Sequence, residues 1–384
     1  MGERSRSDEV QERGRLVSWG GTAGRLALAL LFLYLFLVGV KALEKGISSF
    51  GGEVVGEVFG SVANPIAGLA AGVLATVLVQ SSSVTTSMMV GLVGAGVLPL
   101  ETAVPMVMGA NIGTTVTNTL ASLGHVRQNA YFERAFAAAT VHDYFNLLSV
   151  AILLPIEIGF GLVTSVATWL SDLLGGLLPA VESGDGRVKQ AVEAPVDWFA
   201  GQVEQLGGNP GVPLLVLGIC LIFFALWVIT RQMKSVMSGR IENAINGILG
   251  RGAGVGALIA GMLMTAAVQS SSITTSILVP LVAAGVLSLR NAYPVTLGAN
   301  IGTTVTALLA SVAADSPDAL TLAMAHLTFN VLGTLIFYPA PRLRDLPIRL
   351  ATATAHVAVR RKSIVVAYVV GVFIVAPLAV LLIS

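Results

Sequence analysis

The sequence predicts an all-α polytopic membrane protein made of two inverted-topology repeats, each with a re-entrant hairpin and broken helices. Three observations carry this expectation. Apolar residues are 55% of the 384-residue chain and charged residues only 11%, with a mean hydropathy of +0.84. A soluble domain holds about 25% charged residues, so this chain cannot cover a water-facing surface. Residues 80–87 (QSSSVTTS) return at 269–276 as QSSSITTS, and GANIGTTVT at 109–117 returns unchanged at 298–306, both at an offset of 189. Finally, the basic residues that flank equivalent segments change sides between the two copies.

The elements follow in order. Residues 1–24 are polar and basic (Arg4, Arg6, Arg13, Arg15) and read as a cytoplasmic tail before a first helix over about 25–43. No small-residue cleavage signature follows that helix, so it is expected to be retained. The first repeat occupies 25–181 and the second 212–341. Between 72–123 and 261–312, 33 of 52 positions are identical, which establishes duplication. A weaker echo matches His142, Phe145, Asn146 and Pro155 to His326, Phe329, Asn330 and Pro339 at an offset of 184.

Charge orients the copies. Ahead of the first core stand Lys41, Glu44, Lys45, Glu53 and Glu57 (net −1), whereas Arg231, Lys234, Arg240, Glu242 and Arg251 (net +3) precede the second. After the cores the bias reverses, with Arg127, Glu133 and Arg134 in one copy and Asp315 and Asp318 in the other. Short cytoplasmic loops collect Lys and Arg, so equivalent loops lie on opposite sides, as inverted transporter repeats require. A helix near 136–160 then ends the first half outside, and the acidic segment 182–211 is an extracytoplasmic loop. A helix near 212–230 returns inward. Residues 342–384 form a basic cytoplasmic segment (Arg342, Arg344, Arg349) and a final helix over about 363–383. The aligned stretches 51–60 and 240–249 read as interfacial helices.

The polar blocks are the candidate site. The apolar run from Pro65 to Val79 has 15 residues, short of the roughly 17–25 needed to cross a bilayer. It ends at Gln80, Ser81, Ser82 and Ser83, followed by Thr85, Thr86 and Ser87. Seven polar residues in eight cover every face of a helix. They therefore need protein or a wet cavity around them, because an unpaired polar group in hydrocarbon costs several kcal/mol. A single Ser, Thr or Gly in a membrane helix is usually packing material, and Gly68, Gly72, Gly91, Gly94 and Gly96 fit that role. Blocks retained twice are different. No Lys or Arg occurs over 46–126, 252–289 or 291–341, so hydroxyls, amides and helix N-termini face any guest without fixed positive charge. Such donors suit a small oxyanion whose charge is balanced by accompanying cations. The residues point to anion–cation cotransport and leave both ions open.

Asp143, in HDYFN, is an intramembrane acid and a functional candidate by default; Leu327 stands at its repeat position. Its alternative role is an interfacial cap or a partner for Arg134. His142 and His326 read as structural, Glu157 as interfacial, and His125 and His356 as loop residues. The low charge excludes a nucleic-acid binder, a disordered scaffold and an ordinary cytosolic enzyme. Cys220 stands alone, which excludes an internal disulfide or a thiolate metal cage. No cofactor or transition metal is expected, and the residues predict no particular protein partner.

These motifs, together with ATVHDYFNLLSVAILLPIE (139–157) and FYPAPRLRDLPIR (337–349), resemble the type II sodium-dependent phosphate cotransporters over roughly 25–384. The resemblance implies sodium-coupled phosphate uptake across the cell membrane by alternating access. It implies phosphate ligands at Gln80, Ser81, Ser82, Ser83, Gln269, Ser270, Ser271 and Ser272, and sodium sites built by Asn111, Thr114, Thr115, Asn300, Thr303 and Thr304. An Asp in the HDxFN motif marks electrogenic members, so Asp143 implies one further Na⁺. The 182–210 segment lacks the disulfide and glycosylation sites of animal members, and regulation through long tails like theirs is not expected of this chain. Alternatives are another oxyanion such as sulfate or arsenate, H⁺ coupling, a channel or sensor, and an intramembrane serine hydrolase. The last lacks a Gly-x-Ser-x-Gly elbow and acids to orient a histidine.

Overall fold

The computed structural model describes residues 3–50, 64–177, 186–251, 254–314 and 316–383, and among them every regular element is a helix. Among the described residues six helices are long and apolar enough to cross a membrane: Gly21–Ser48, Asn129–Phe160, Gly211–Met237, Leu289–Ala313, Pro317–Phe337 and Ser363–Ile383. The chain is an all-α polytopic membrane protein.

Helix α1 (Glu3–Ser48) starts well before the expected first helix. Hydropathy marks where lipid begins, but no proline interrupts 3–48 and Glu, Arg, Gln and Leu sustain the backbone ladder into the basic tail. The stretch 51–60 lies outside the described residues. Helices α2 (Pro65–Val79) and α3 (Ser82–Gly94) form a hairpin, and α4 (Leu100–Thr114), α5 (Val116–Ser122), α6 (Asn129–Phe160) and α7 (Leu162–Leu177) complete the first half. Glu157 accepts from the Val163 N–H at 2.6 Å and the Thr164 N–H at 3.2 Å, capping α7.

The 182–211 segment, expected as a loop, contains α8 (Gly186–Gln205). Val192, Val196 and Ala200 recur every four residues and bury one face against Val38, Ala42 and Leu214. Its acids meet the bases of α1: Lys41–Glu193 at 3.3 Å and Lys45–Asp197 at 2.5 Å. The charges that suggested a solvated loop are thus the polar edge of an amphipathic helix. Helix α9 (Gly211–Arg251) runs unbroken through 240–249, so that stretch continues a longer helix rather than forming a separate one. At 1.5 Å per residue, 41 residues span about 60 Å, twice a bilayer's hydrocarbon core of about 30 Å.

The second half repeats the first: hairpin α10 (Val255–Val268) and α11 (Ser271–Ala283), then α12 (Leu289–Ala313) and α13 (Pro317–Phe337). Amphipathic α14 (Pro341–Arg360) lays Ala355 and Ala358 on Phe132 and Phe136 of α6. The last span comprises α15 (Ser363–Val370), a π-turn over Gly371–Val375, and α16 (Ala376–Ile383). Pro377 has no N–H for the carbonyl one turn earlier, which favours the wider turn there.

Glycines fix each hairpin to the next helix. A Cβ added at Gly72 would lie 1.9 Å from the Met106 carbonyl oxygen, and one at Gly109 2.0 Å from that of Leu69. The same contacts recur 189 residues on, with Gly261 2.2 Å from the Val295 oxygen and Gly298 1.9 Å from that of Leu258. Gly96 differs from the packing role expected of it: its φ is +70° with open space around it, so it serves a turn.

Candidate functional site

Both polar blocks sit at hairpin tips. Gln80 (φ 58°) and Gln269 (φ 59°) are the two non-glycine residues of positive φ among those described. Each ends its helix in the left-handed conformation, lets the next helix start at the serines, and is stabilised locally. The Gln80 side chain donates to the Val77 carbonyl at 2.5 Å and accepts from Thr117 at 3.1 Å. The Gln269 side chain donates to the Ala266 carbonyl and accepts from Thr306 at 2.8 Å. These are the same bonds at an offset of 189. Ser81 then caps α3 by accepting from the Val84 N–H at 3.3 Å.

The tips meet: Ser83 Oγ donates to the Gln269 carbonyl at 3.3 Å. Ser82, Ser83, Gln269 and Ser271 are buried, Ser81, Ser270 and Ser272 partly so, while Gln80 is exposed. Behind the tips the halves cross over. His142 Nε2 lies 2.9 Å from Asn300 Oδ1, and His326 Nε2 lies 3.4 Å from Asn111 Oδ1. Asn146 donates to the Asn111 carbonyl at 2.7 Å and Asn330 to the Asn300 carbonyl at 3.2 Å. The histidines therefore hold the opposite repeat, a role that their sequence neighbours did not reveal.

The threonines present lone pairs. Thr114 and Thr303 donate to Ala110 and Ala299 at 2.9 and 3.0 Å, and Thr115 and Thr304 to Ile112 and Ile301 at 2.8 and 2.7 Å. With each proton held by its own helix, each hydroxyl keeps oxygen lone pairs for a cation. The halves differ at one point. Helix α4 ends at Thr114 and α5 restarts at Val116, whereas α12 is continuous through Thr303 and Thr304.

Asp143 lies against that break. It is fully buried, and its Oδ2 accepts from Thr119 at 3.2 Å and from Tyr368 at 2.9 Å, with Thr115 beside it. Its Oδ1 has no partner, nor does the buried Oδ1 of Asn118, the residue before Thr119, whose Nδ2 donates to Thr275 at 2.7 Å. Arg134 is elsewhere, donating to the Ala130 carbonyl and lying over the Tyr131 ring, so the alternative pairing with Asp143 is not formed. Among the described residues Asp143 is the one buried acid, and no Lys or Arg is buried. Asn118, Thr119 and Tyr368 went unnoticed in the sequence. The signal for the first two is a difference between copies: Ala307 and Leu308 occupy their repeat positions, as Leu327 occupies that of Asp143.

Paired hairpins whose polar tips meet inside apolar spanning helices define a membrane transporter with discontinuous helices. Residues 35–171 and 221–350 match the family described as Na⁺/Pi-cotransporter, in two blocks that follow the two halves. The chain belongs to the type II sodium-dependent phosphate cotransporter family, a transporter family and not an enzyme family. It is 33% identical to sodium-dependent phosphate transport protein 2A of Rattus norvegicus, covering 98% of this chain and 70% of that protein. It is 31% identical to sodium-dependent phosphate transport protein 2B of Homo sapiens, covering 97% and 67%. No solved structure matches.

Proposed function

We propose that this chain is a secondary active symporter that couples sodium influx to uptake of inorganic phosphate across the cell membrane by alternating access. The family and its relatives support the two ions. Oxygen lone pairs of Asn111, Thr114, Thr115, Asn300, Thr303 and Thr304 suit Na⁺. The serine hydroxyls and backbone N–H groups at Gln80–Ser83 and Gln269–Ser272 suit phosphate. With no base to balance the anion, sodium supplies the countercharge. The crossed His–Asn pairs support two inverted repeats, with the N-terminus cytoplasmic by the loop charges.

One observation carries the electrogenic reading: Asp143 is fully buried with its Oδ1 unpartnered, and among the described residues no Lys or Arg is buried with it. An isolated carboxylate is too costly to keep ionised in such a place, so a transported cation completes the site. Proteoliposomes decide the matter. Phosphate uptake should need an inward Na⁺ gradient, resist excess sulfate, and generate an inward current. Equal uptake in choline or potassium medium would overturn sodium coupling, and sulfate or arsenate displacing phosphate at equal concentration would reassign the anion.

A further inference from the structure

A polar cavity lined by none of the candidate transport residues lies between α1 and α9. The two helices run antiparallel and touch closely at one end. There a Cβ on Gly39 would be 3.0 Å from the Ile222 nitrogen, and one on Gly46 2.6 Å from the Leu215 nitrogen. Toward the other end the glycines give way to Phe32 and Trp227, and the helices enclose a cavity of about 510 Å³. Arg25, Phe32, Trp227, Arg231, Gln232 and Ser235 line it.

Its position and charge are both distinctive. The uncharged runs 26–40 of α1 and 211–230 of α9 end at Arg25 and Arg231, so both arginines stand at the apolar boundary, at the depth where lipid headgroups lie. Lys41 and Lys45, toward the opposite end of α1, are paired with Glu193 and Asp197. Arg25 and Arg231 pair with no carboxylate among the described residues. The Arg231 guanidinium sits 5.4 Å from the Trp227 ring centre, which stacks on Phe224 at 5.9 Å, and both rings are exposed. Two guanidiniums and an amide beside exposed aromatic rings fit a phosphate group attached to something apolar.

We propose that this cleft binds the phosphate headgroup of an anionic phospholipid, with the acyl chains along Trp227 and Phe224. The shared chemistry with free phosphate is the oxyanion; the aromatic flank and interfacial depth favour the lipid. The proposal does not depend on which substrate is transported.

Native mass spectrometry of the purified full chain tests it, with phosphatidylglycerol, phosphatidylcholine and inorganic phosphate as probes. Wild type should retain phosphatidylglycerol in preference to phosphatidylcholine, and millimolar phosphate should not displace it. R25Q/R231Q should lose the preference by about tenfold or more, while R25K/R231K keeps most of it. R342Q/R349Q, with the same charge loss elsewhere, should bind as wild type does. A thermal transition matched to wild type shows that the glutamine variant is folded; were it unfolded, R25Q alone gives the same reading with a smaller loss. The proposal is overturned if a folded glutamine variant keeps its preference, if R342Q/R349Q loses it equally, or if inorganic phosphate displaces the lipid.

Discussion

The Tyr368 hydroxyl donates to the Asp143 carboxylate at 2.9 Å, tying the last spanning helix to the middle of the first repeat. Thr119 donates to the same oxygen, Oδ2, so both bonds fix the rotation of the carboxylate and leave Oδ1 without a partner. The π-turn over Gly371–Val375 begins three residues beyond Tyr368, and Phe373 in it packs edge-on to the Tyr368 ring.

Tyr368→Phe should therefore keep the fold but loosen the carboxylate. A hydrogen bond to a charged group is worth about 1.5–3 kcal/mol. We expect the sodium concentration for half-maximal uptake to rise roughly tenfold or more, with phosphate half-saturation unchanged at high sodium. Sodium titrations of phosphate uptake in proteoliposomes read this directly, and an unchanged sodium curve would show that the tyrosine only fills space.

Asp143→Asn retains the shape and removes the charge. The expected result is loss of transport current with part of the phosphate uptake preserved, because the charge-compensating cation is no longer held. Each elementary charge moved across the membrane gains about 2.3 kcal/mol per 100 mV, so the variant should also lose voltage sensitivity. Current and labelled phosphate measured on the same preparation give the charge per phosphate. An equal ratio in wild type and variant contradicts the assignment.

How much of this was legible beforehand depended on whether a residue's signal was local. The hairpins could be read because seven polar residues in eight cannot face lipid, and the duplication because it repeats letter for letter. The left-handed Gln80 and Gln269 could not, since nothing in the residue type demands φ near +60°. Helix α8 was hidden by its acids, which look solvated until Lys41 and Lys45 are seen opposite. Tyr368 lies outside the repeat and 225 residues from its partner. Asn146 and Asn330 marked the repeat, but that they would cap the Asn111 and Asn300 carbonyls needed the tertiary packing.

Hairpin seating gives a symmetric test. Gly109→Ala and Gly298→Ala each drive a methyl to about 2 Å from a backbone oxygen, Leu69 in one case and Leu258 in the other. Neither carbonyl can move without shifting its helix, so both should cost about 3 kcal/mol, the upper end for overpacking, and lower the melting temperature in detergent by similar amounts. Gly124→Ala, with nothing within 4 Å of its Cβ, should be close to neutral. A stable Gly298→Ala beside an unstable Gly109→Ala would mean that the two hairpins are not equivalently seated.

The crossed pairs test whether the halves are coupled through their histidines. The Asn300 amide nitrogen donates to Asn146 Oδ1 at 2.8 Å and to Asn330 Oδ1 at 3.1 Å, which leaves its oxygen facing His142. The His142 Nε2 must then carry a proton and donate. Its counterpart, His326 to Asn111, is longer at 3.4 Å. A double-mutant cycle over His142→Ala and Asn300→Ala should return a coupling of roughly 0.5–2 kcal/mol in thermal stability. The cycle over His326 and Asn111 should return less, and the mismatched pair His142 with Asn111 close to nothing. If the mismatched pair couples as strongly as the matched ones, the histidines contribute bulk to a shared core instead of joining specific partners across the two repeats.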